Sequence, residues 1–176
     1  MIFSETKIKG TFIIEPELLI DERGFFARSF CTEDFDKQGL DSSIVQCNIS
    51  CNNKKGTLRG MHYQISPHEE AKIVSCTEGA IFDVVLDLRK ESRTYCRWIA
   101  VELTDDNLKM LYIPKGCAHG FQTLKDQTRV FYQMTNFFHP ESARGVKWND
   151  PLFGIQWPAG RKIISEKDNQ FSEYCL

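Results

Sequence analysis

Two short segments hold the side chains best suited to chemistry: Gly60-Met61-His62-Tyr63-Gln64, and Ile113-Pro114-Lys115-Gly116-Cys117-Ala118-His119-Gly120-Phe121. Each carries one imidazole, a group that either ligates a metal or moves a proton near neutral pH. Iron, copper and zinc favour imidazole, thiolate and carboxylate ligands. Two residues after His62, where a second ligand on the same strand face would stand, the chain has Gln64. An amide oxygen is a poor ligand for these ions, so the pattern favours an organic site without metal or other cofactor. It makes His62 a candidate base.

The residues around these segments read as strand. Runs rich in Val, Ile, Phe and Tyr, separated by Gly, Asn and Asp, predict strands at 10–19, 25–30, 44–50, 57–64, 72–76, 81–87, 98–103, 108–113, 120–124 and 129–135. Many short strands with such gaps favour a barrel or sandwich over an α/β layer fold. One helix is expected after Thr32 as N-cap, with Glu33 and Asp34 in its first turn and Gly39 as its stop. Alternation places Leu58, Gly60, His62 and Gln64 on one face of their strand, and turns Arg59 to the other unless Gly60 marks a bend. The same rule groups Lys72 with Val74 and Cys76, Asp83 with Val85 and Asp87, and Val130 with Tyr132 and Met134. Each group sets a polar residue among apolar ones, the lining of a ligand cavity.

The 176 residues are expected to form a single domain, 1–176, with a sizeable core. Lys and Arg number 22 against 24 Asp and Glu, a balance that argues against nucleic-acid or membrane-surface binding driven by charge. No apolar run reaches the length of a membrane span, and the first residues lack a signal-peptide pattern, so a cytoplasmic protein is expected. Seven cysteines without a Cys-x-x-Cys pair suggest neither a disulfide framework nor a zinc ribbon.

Six motifs in order carry a resemblance: Asp21-Glu22-Arg23-Gly24-Phe25-Phe26, Gln46-Cys47-Asn48-Ile49-Ser50, Leu58 to Gln64, Phe82 to Arg89, Ile113 to Phe121, and Trp148-Asn149-Asp150-Pro151. From about Asp21 to Gln170 the chain resembles the dTDP-4-dehydrorhamnose 3,5-epimerase family, metal-free cupins that act on nucleotide-linked 6-deoxysugars for bacterial surface polysaccharides. The resemblance implies an all-β cupin, or jelly-roll, barrel with few short helices. It implies as substrate a nucleoside-diphosphate 4-keto sugar, whose C3 and C5 protons are acidic because their removal gives an enolate. By this resemblance His62 is the base, paired with Asp168; Tyr132 is the proton donor on the opposite face; and Lys72 stabilises the enolate oxygen. Arg23, Gln46, Asn48, Arg59 and Lys167 match positions that contact the nucleoside diphosphate. His119 matches a ligand-contacting position, and Asp83 is a lesser candidate to orient one of the site's cations. The family usually forms homodimers, in which Arg23 and Arg28 reach the neighbour's pocket.

The chain departs from the family at three positions. Arg28 and Ala143 stand where Glu is common among nucleotide contacts, and Phe138 stands where Tyr is frequent. Three readings follow: an epimerase at both C3 and C5; a variant that inverts C3 alone or takes another base; and, from a different class, a metal cupin acting as oxygenase or binding protein through His62, His68, Glu69 or Glu70, and His119.

Overall fold

A computed structural model describes residues 1–175. The chain runs β1 (Ile2–Glu5), β2 (Phe12–Glu15), β3 (Leu18–Asp21), β4 (Gly24–Ala27), α1 (Thr32–Lys37), β5 (Gln46–Asn52), β6 (Leu58–Gln64) and β7 (Lys72–Glu78). It continues β8 (Ala80–Asp87), β9 (Trp98–Thr104), β10 (Met110–Ile113), β11 (Cys117–Thr123), β12 (Thr128–Met134), β13 (Ala143–Gly145) and α2 (Glu166–Asn169). Two antiparallel sheets, ordered β1-β2-β10-β7-β12-β5 and β13-β6-β11-β8-β9, make a cupin-type jelly-roll barrel.

Alternation explains what each sheet buries. Val74, Cys76, Leu111, Ile113 and Val130 of the first sheet meet Ile81, Val85, Leu103, Cys117 and Phe121 of the second. The outer faces are covered as well. Around α1, Phe35 joins Ile14, Ile73, Met110 and Tyr112, while Phe153 and Ile155 of the C-terminal segment pack on Met61, Val84, Leu86 and Ala118. With both faces covered, β8 is buried along nearly its whole length, including the carboxylates Asp83 and Asp87.

Some expectations need correction. The strand expected at 10–19 is two strands, β2 and β3, because Pro16 lies between them and cannot donate to a ladder. Thr32 is the first helical residue and not the N-cap; extended Cys31 takes that place, with no side-chain cap. The stop at Gly39 is as expected, its amide donating to the Asp36 carbonyl at 2.9 Å and its φ at 68°.

Along β6 strict alternation breaks at Gly60, the bend that the glycine left open. The pairs His119–His62 and Phe121–Arg59 advance two residues on β11 against three on β6, a bulge at Gly60 and Met61. The bulge restores Arg59 to the His62 side, where both line one cavity, and turns Met61 into the outer cluster. It also requires close backbone approach: a Cβ at Gly60, where φ is 128°, would lie 2.5 Å from Gly120 Cα.

Candidate active site

One end of the barrel stays open as a cavity of about 670 Å³, within the range of small-molecule sites. The six-stranded sheet contributes Gln46 and Asn48 from β5, Lys72 from β7, and Tyr132 and Met134 from β12. Ladder pairing puts Gln46, Met134 and Lys72 in one row and Asn48, Tyr132 and Val74 in the next. The facing sheet contributes Arg59 and His62 from β6 and His119 from β11, with His62 directly opposite His119. Lys167 and Asp168 of α2 close one side.

His62 Nε2 lies 2.8 Å from Asp168 Oδ1, and the Asp168 Oδ2 accepts from the Gly60 amide at 3.1 Å. Ser165, the N-cap of α2, accepts from the Asp168 amide and fixes the helix that carries the carboxylate. Burial pushes the Asp168 carboxyl up, but hydrogen bonds with His62, the Gly60 amide and Ser165 outweigh it and hold it below the usual carboxylate range. Asp168 is therefore an anion at neutral pH, the state that orients an imidazole and stabilises its protonated form. The ring edge of Phe171 packs on His62 with centroids 5.9 Å apart.

Tyr132 is half-buried on the opposite sheet. Burial raises its phenol above the ordinary value, against a smaller lowering by Arg59, so the hydroxyl keeps its proton at neutral pH. Lys72 is buried, with Nζ 2.8 Å from Glu70 Oε1 and 3.5 Å from the His62 carbonyl. Asp83 holds His119 through a 2.7 Å contact to Nε2. Arg59 Nε donates to Asn52 Oδ1 at 2.8 Å, and Asn52 is in turn tied to the carbonyls of Ser50 and Thr128. Gln46 donates to Asn48 and accepts from the Phe138 amide.

The structure thus brings together His62, Asp168, Tyr132, Lys72, His119, Arg59, Gln46, Asn48 and Lys167. It does not bring Arg23 or Arg28 to this cavity. Arg23 sits at the exposed tip of the β3–β4 hairpin, paired with Asp21, and Arg28 borders a separate cleft, 3.4 Å from Asp34. Ala143 and Phe138, two of the departures, do line the cavity.

The ligand set weighed for a metal does not converge. Among the described residues the donor atoms of His62, His119 and Glu70 do not come close enough together to share one ion; they pair with Asp168, Asp83 and Lys72. His68 instead stacks on His139, centroids 3.6 Å apart and planes 11° from parallel, beside Glu141. Parallel rings direct their lone pairs side by side, so this cluster reads as packing that braces the 137–142 segment. Gln64 completes the brace: it is buried, accepts from the His139 amide at 2.6 Å and donates to the carbonyls of His68 and Phe137.

Sequence reasoning missed Asn52, Phe171 and the brace role of Gln64. It weighed Glu70 only as a metal ligand. Ser165-x-x-Asp168 is a capping pattern visible in the sequence, and it alone could have foretold the helix that holds Asp168.

Both kinds of comparison point the same way. The sequence profile described as dTDP-4-dehydrorhamnose 3,5-epimerase matches residues 5–174. A relative of that name from Methanothermobacter thermautotrophicus is 44% identical over 172 residues, covering 96% of this chain and 92% of its own. The crystal structure of the Elizabethkingia anophelis dTDP-4-dehydrorhamnose 3,5-epimerase superposes with a TM-score of 0.96 at 38% identity, over 99% of this chain and 96% of that one. A Legionella pneumophila dTDP-6-deoxy-D-glucose-3,5-epimerase, solved in complex with dTDP-4-keto-L-rhamnose, gives a TM-score of 0.89 at 40% identity over 94% and 88% of the two chains. With its fold, its matched length and its cavity all in agreement, the chain belongs to the dTDP-4-dehydrorhamnose 3,5-epimerase family.

Proposed function

We propose that this chain inverts C3 and C5 of a dTDP-4-keto-6-deoxyhexose, converting the dTDP-4-keto-6-deoxyglucose type of sugar to dTDP-4-dehydrorhamnose. The observation that carries the reading is the placement of an Asp-held imidazole and a protonated phenol on opposite sheets of one cavity. With Asp168 on Nε2, His62 presents Nδ1 to the sugar. It takes the proton from C3 or C5, the C–H electron pair flows into the C4 carbonyl, and an enolate and an imidazolium result. The Tyr132 hydroxyl then returns a proton to the same carbon from the other face. Carbon configuration is inverted, and solvent resets the two side chains. Lys72 and the His119–Asp83 pair supply donors for the charge growing on the C4 oxygen.

Arg59 and Lys167 are assigned to the diphosphate, where charge-assisted hydrogen bonds are strongest, and Gln46 and Asn48 to the nucleoside end. The names of these relatives support dTDP as the nucleotide. We also propose that the protein is a single-domain cytoplasmic enzyme and a homodimer. No helix among the described residues is long and apolar enough to cross a membrane. The β3–β4 hairpin, which exposes Leu19, Ile20, Phe25 and Phe26 around Arg23, supports a surface for a second copy.

The test is exchange in deuterated water. Incubation with dTDP-4-keto-6-deoxyglucose is expected to place deuterium at both C3 and C5, read by NMR and mass spectrometry. Label at C3 alone would assign a monoepimerase, and no label with the dTDP, CDP, UDP or GDP sugars would overturn the enzyme reading.

A further inference from the structure

Glu70 stands just ahead of β7, two residues from Lys72, and the residue between them is clamped. The Ala71 amide donates to Thr135 Oγ1 at 2.9 Å, and the Thr135 amide donates back to the Ala71 carbonyl at 3.0 Å. Residues two apart on an extended chain project to one side. Glu70 and Lys72 are thus locked facing the same cavity, and both line it. Their side chains are 3% and 10% exposed, with Oε1 2.8 Å from Nζ. The other carboxylate oxygen, Oε2, is buried without a protein partner.

A buried ion pair is a weak source of stability, and a buried carboxylate with one bare oxygen is a net cost. That cost is concentrated at the cavity wall, where a use for it is at hand. The Lys72 ammonium has three protons. One points to Glu70 and a second toward the His62 carbonyl at 3.5 Å, which leaves the third for the cavity. A free lysine chain has many rotamers to lose when it is fixed, and a buried ammonium without a counter-charge is unstable. We propose that Glu70 is the positioning residue for Lys72: it fixes the ammonium in place and aims its remaining N–H at the oxygen that gains charge in the reaction. The assignment rests on the epimerase reading and gives Lys72 a defined direction within it.

The test is a double-mutant cycle on full-length protein, with turnover of dTDP-4-keto-6-deoxyglucose and dTDP affinity measured in parallel. Glu70→Ala is expected to lower kcat about 30-fold, the worth of a charge-assisted hydrogen bond, with dTDP affinity held within about 2-fold. Lys72→Met is expected to lower kcat at least as far. Adding Glu70→Ala to Lys72→Met is expected to change kcat by less than about 2-fold, because Glu70 acts only through Lys72. Glu70→Gln keeps the volume and one acceptor, and its loss should be smaller, about 5-fold. If Glu70→Ala does not fold, Glu70→Gln and Glu70→Gln/Lys72→Met complete the same cycle. Additive losses, loss of dTDP affinity in step with kcat, or wild-type turnover by both Glu70 variants would overturn the assignment. A wild-type protein that turns over no 4-keto sugar defeats the epimerase reading instead, so the two failures are distinguishable.

Discussion

Asp168 occupies Nε2 of His62, so in the proposed reaction proton abstraction is assigned to Nδ1 and proton return to the phenol of Tyr132, which sits on the other sheet with its proton retained by burial. Base and acid are therefore separable by mutation. His62→Ala is expected to abolish deuterium incorporation at C3 and C5. Tyr132→Phe is expected to retain exchange from the His62 face while net inversion falls about 100-fold, read by NMR of the recovered sugar. Equal loss of exchange in both variants would contradict this division of labour. At this scale the resemblance named His62, Tyr132, Lys72 and Asp168, and the fold gathers all four. Their supports were not legible: Asn52 holds Arg59 across a turn, and Phe171 reaches His62 from the far end of the chain, with no local pattern marking either contact.

The site depends on one irregular element. β6 carries both Arg59 and His62 into the cavity only because the bulge adds a residue between them, and Gly60 and Gly120 lie back to back where it does so. Gly145, paired with His62 on the other side, leaves room for the Phe171 ring, which an added Cβ would meet at 2.1 Å. Gly60→Ala is expected to cost about 2–4 kcal/mol of stability, seen as a lower midpoint in urea, and to weaken dTDP binding as Arg59 shifts. Gly145→Ala is expected to cost less stability but more turnover, since Phe171 can swing away while His62 loses its packing. The long strands were legible because runs of Val, Ile, Phe and Tyr are bounded by turn residues, whether one face is partly buried, as in β5, or both are buried, as in β8. β1, β13 and α2, of three or four residues, hold too little periodicity to be read, whereas the bulge in β6 was marked by the glycine at which it falls.

Across the whole molecule, a carboxylate network and an uncovered apolar hairpin set the response to pH and to concentration. Burial pushes Asp87 up, but hydrogen bonds from Arg89, Ser92 and Thr94 outweigh it and bring its pKa down to about 2. A carboxyl depressed on folding stabilises the native state above its unfolded value, near 4, and loses that contribution as pH falls toward 2. Asp87→Asn is therefore expected to lower stability by about 2 kcal/mol at pH 7, with the gap to wild type closing below pH 4 in denaturant titrations. The hairpin poses the larger question. Leu19, Ile20, Phe25 and Phe26 are 68%, 77%, 56% and 71% exposed, an apolar cluster of the kind that marks an interaction surface. Arg23 sits at its tip and does not line the cavity of its own chain. If a second copy covers the hairpin, charge introduced there should both dissociate the protein and strip an arginine from the opposite site. Ile20→Glu/Phe26→Glu is expected to run as a monomer by light scattering at micromolar concentration, to keep its thermal midpoint within a few degrees, and to lose about 10-fold or more in kcat/KM. Arg23→Ala should lose a similar factor while remaining dimeric, which separates the arginine's contact from the assembly that delivers it. A wild-type protein that is monomeric and fully active at the same concentration would refute both the dimer and the shared site.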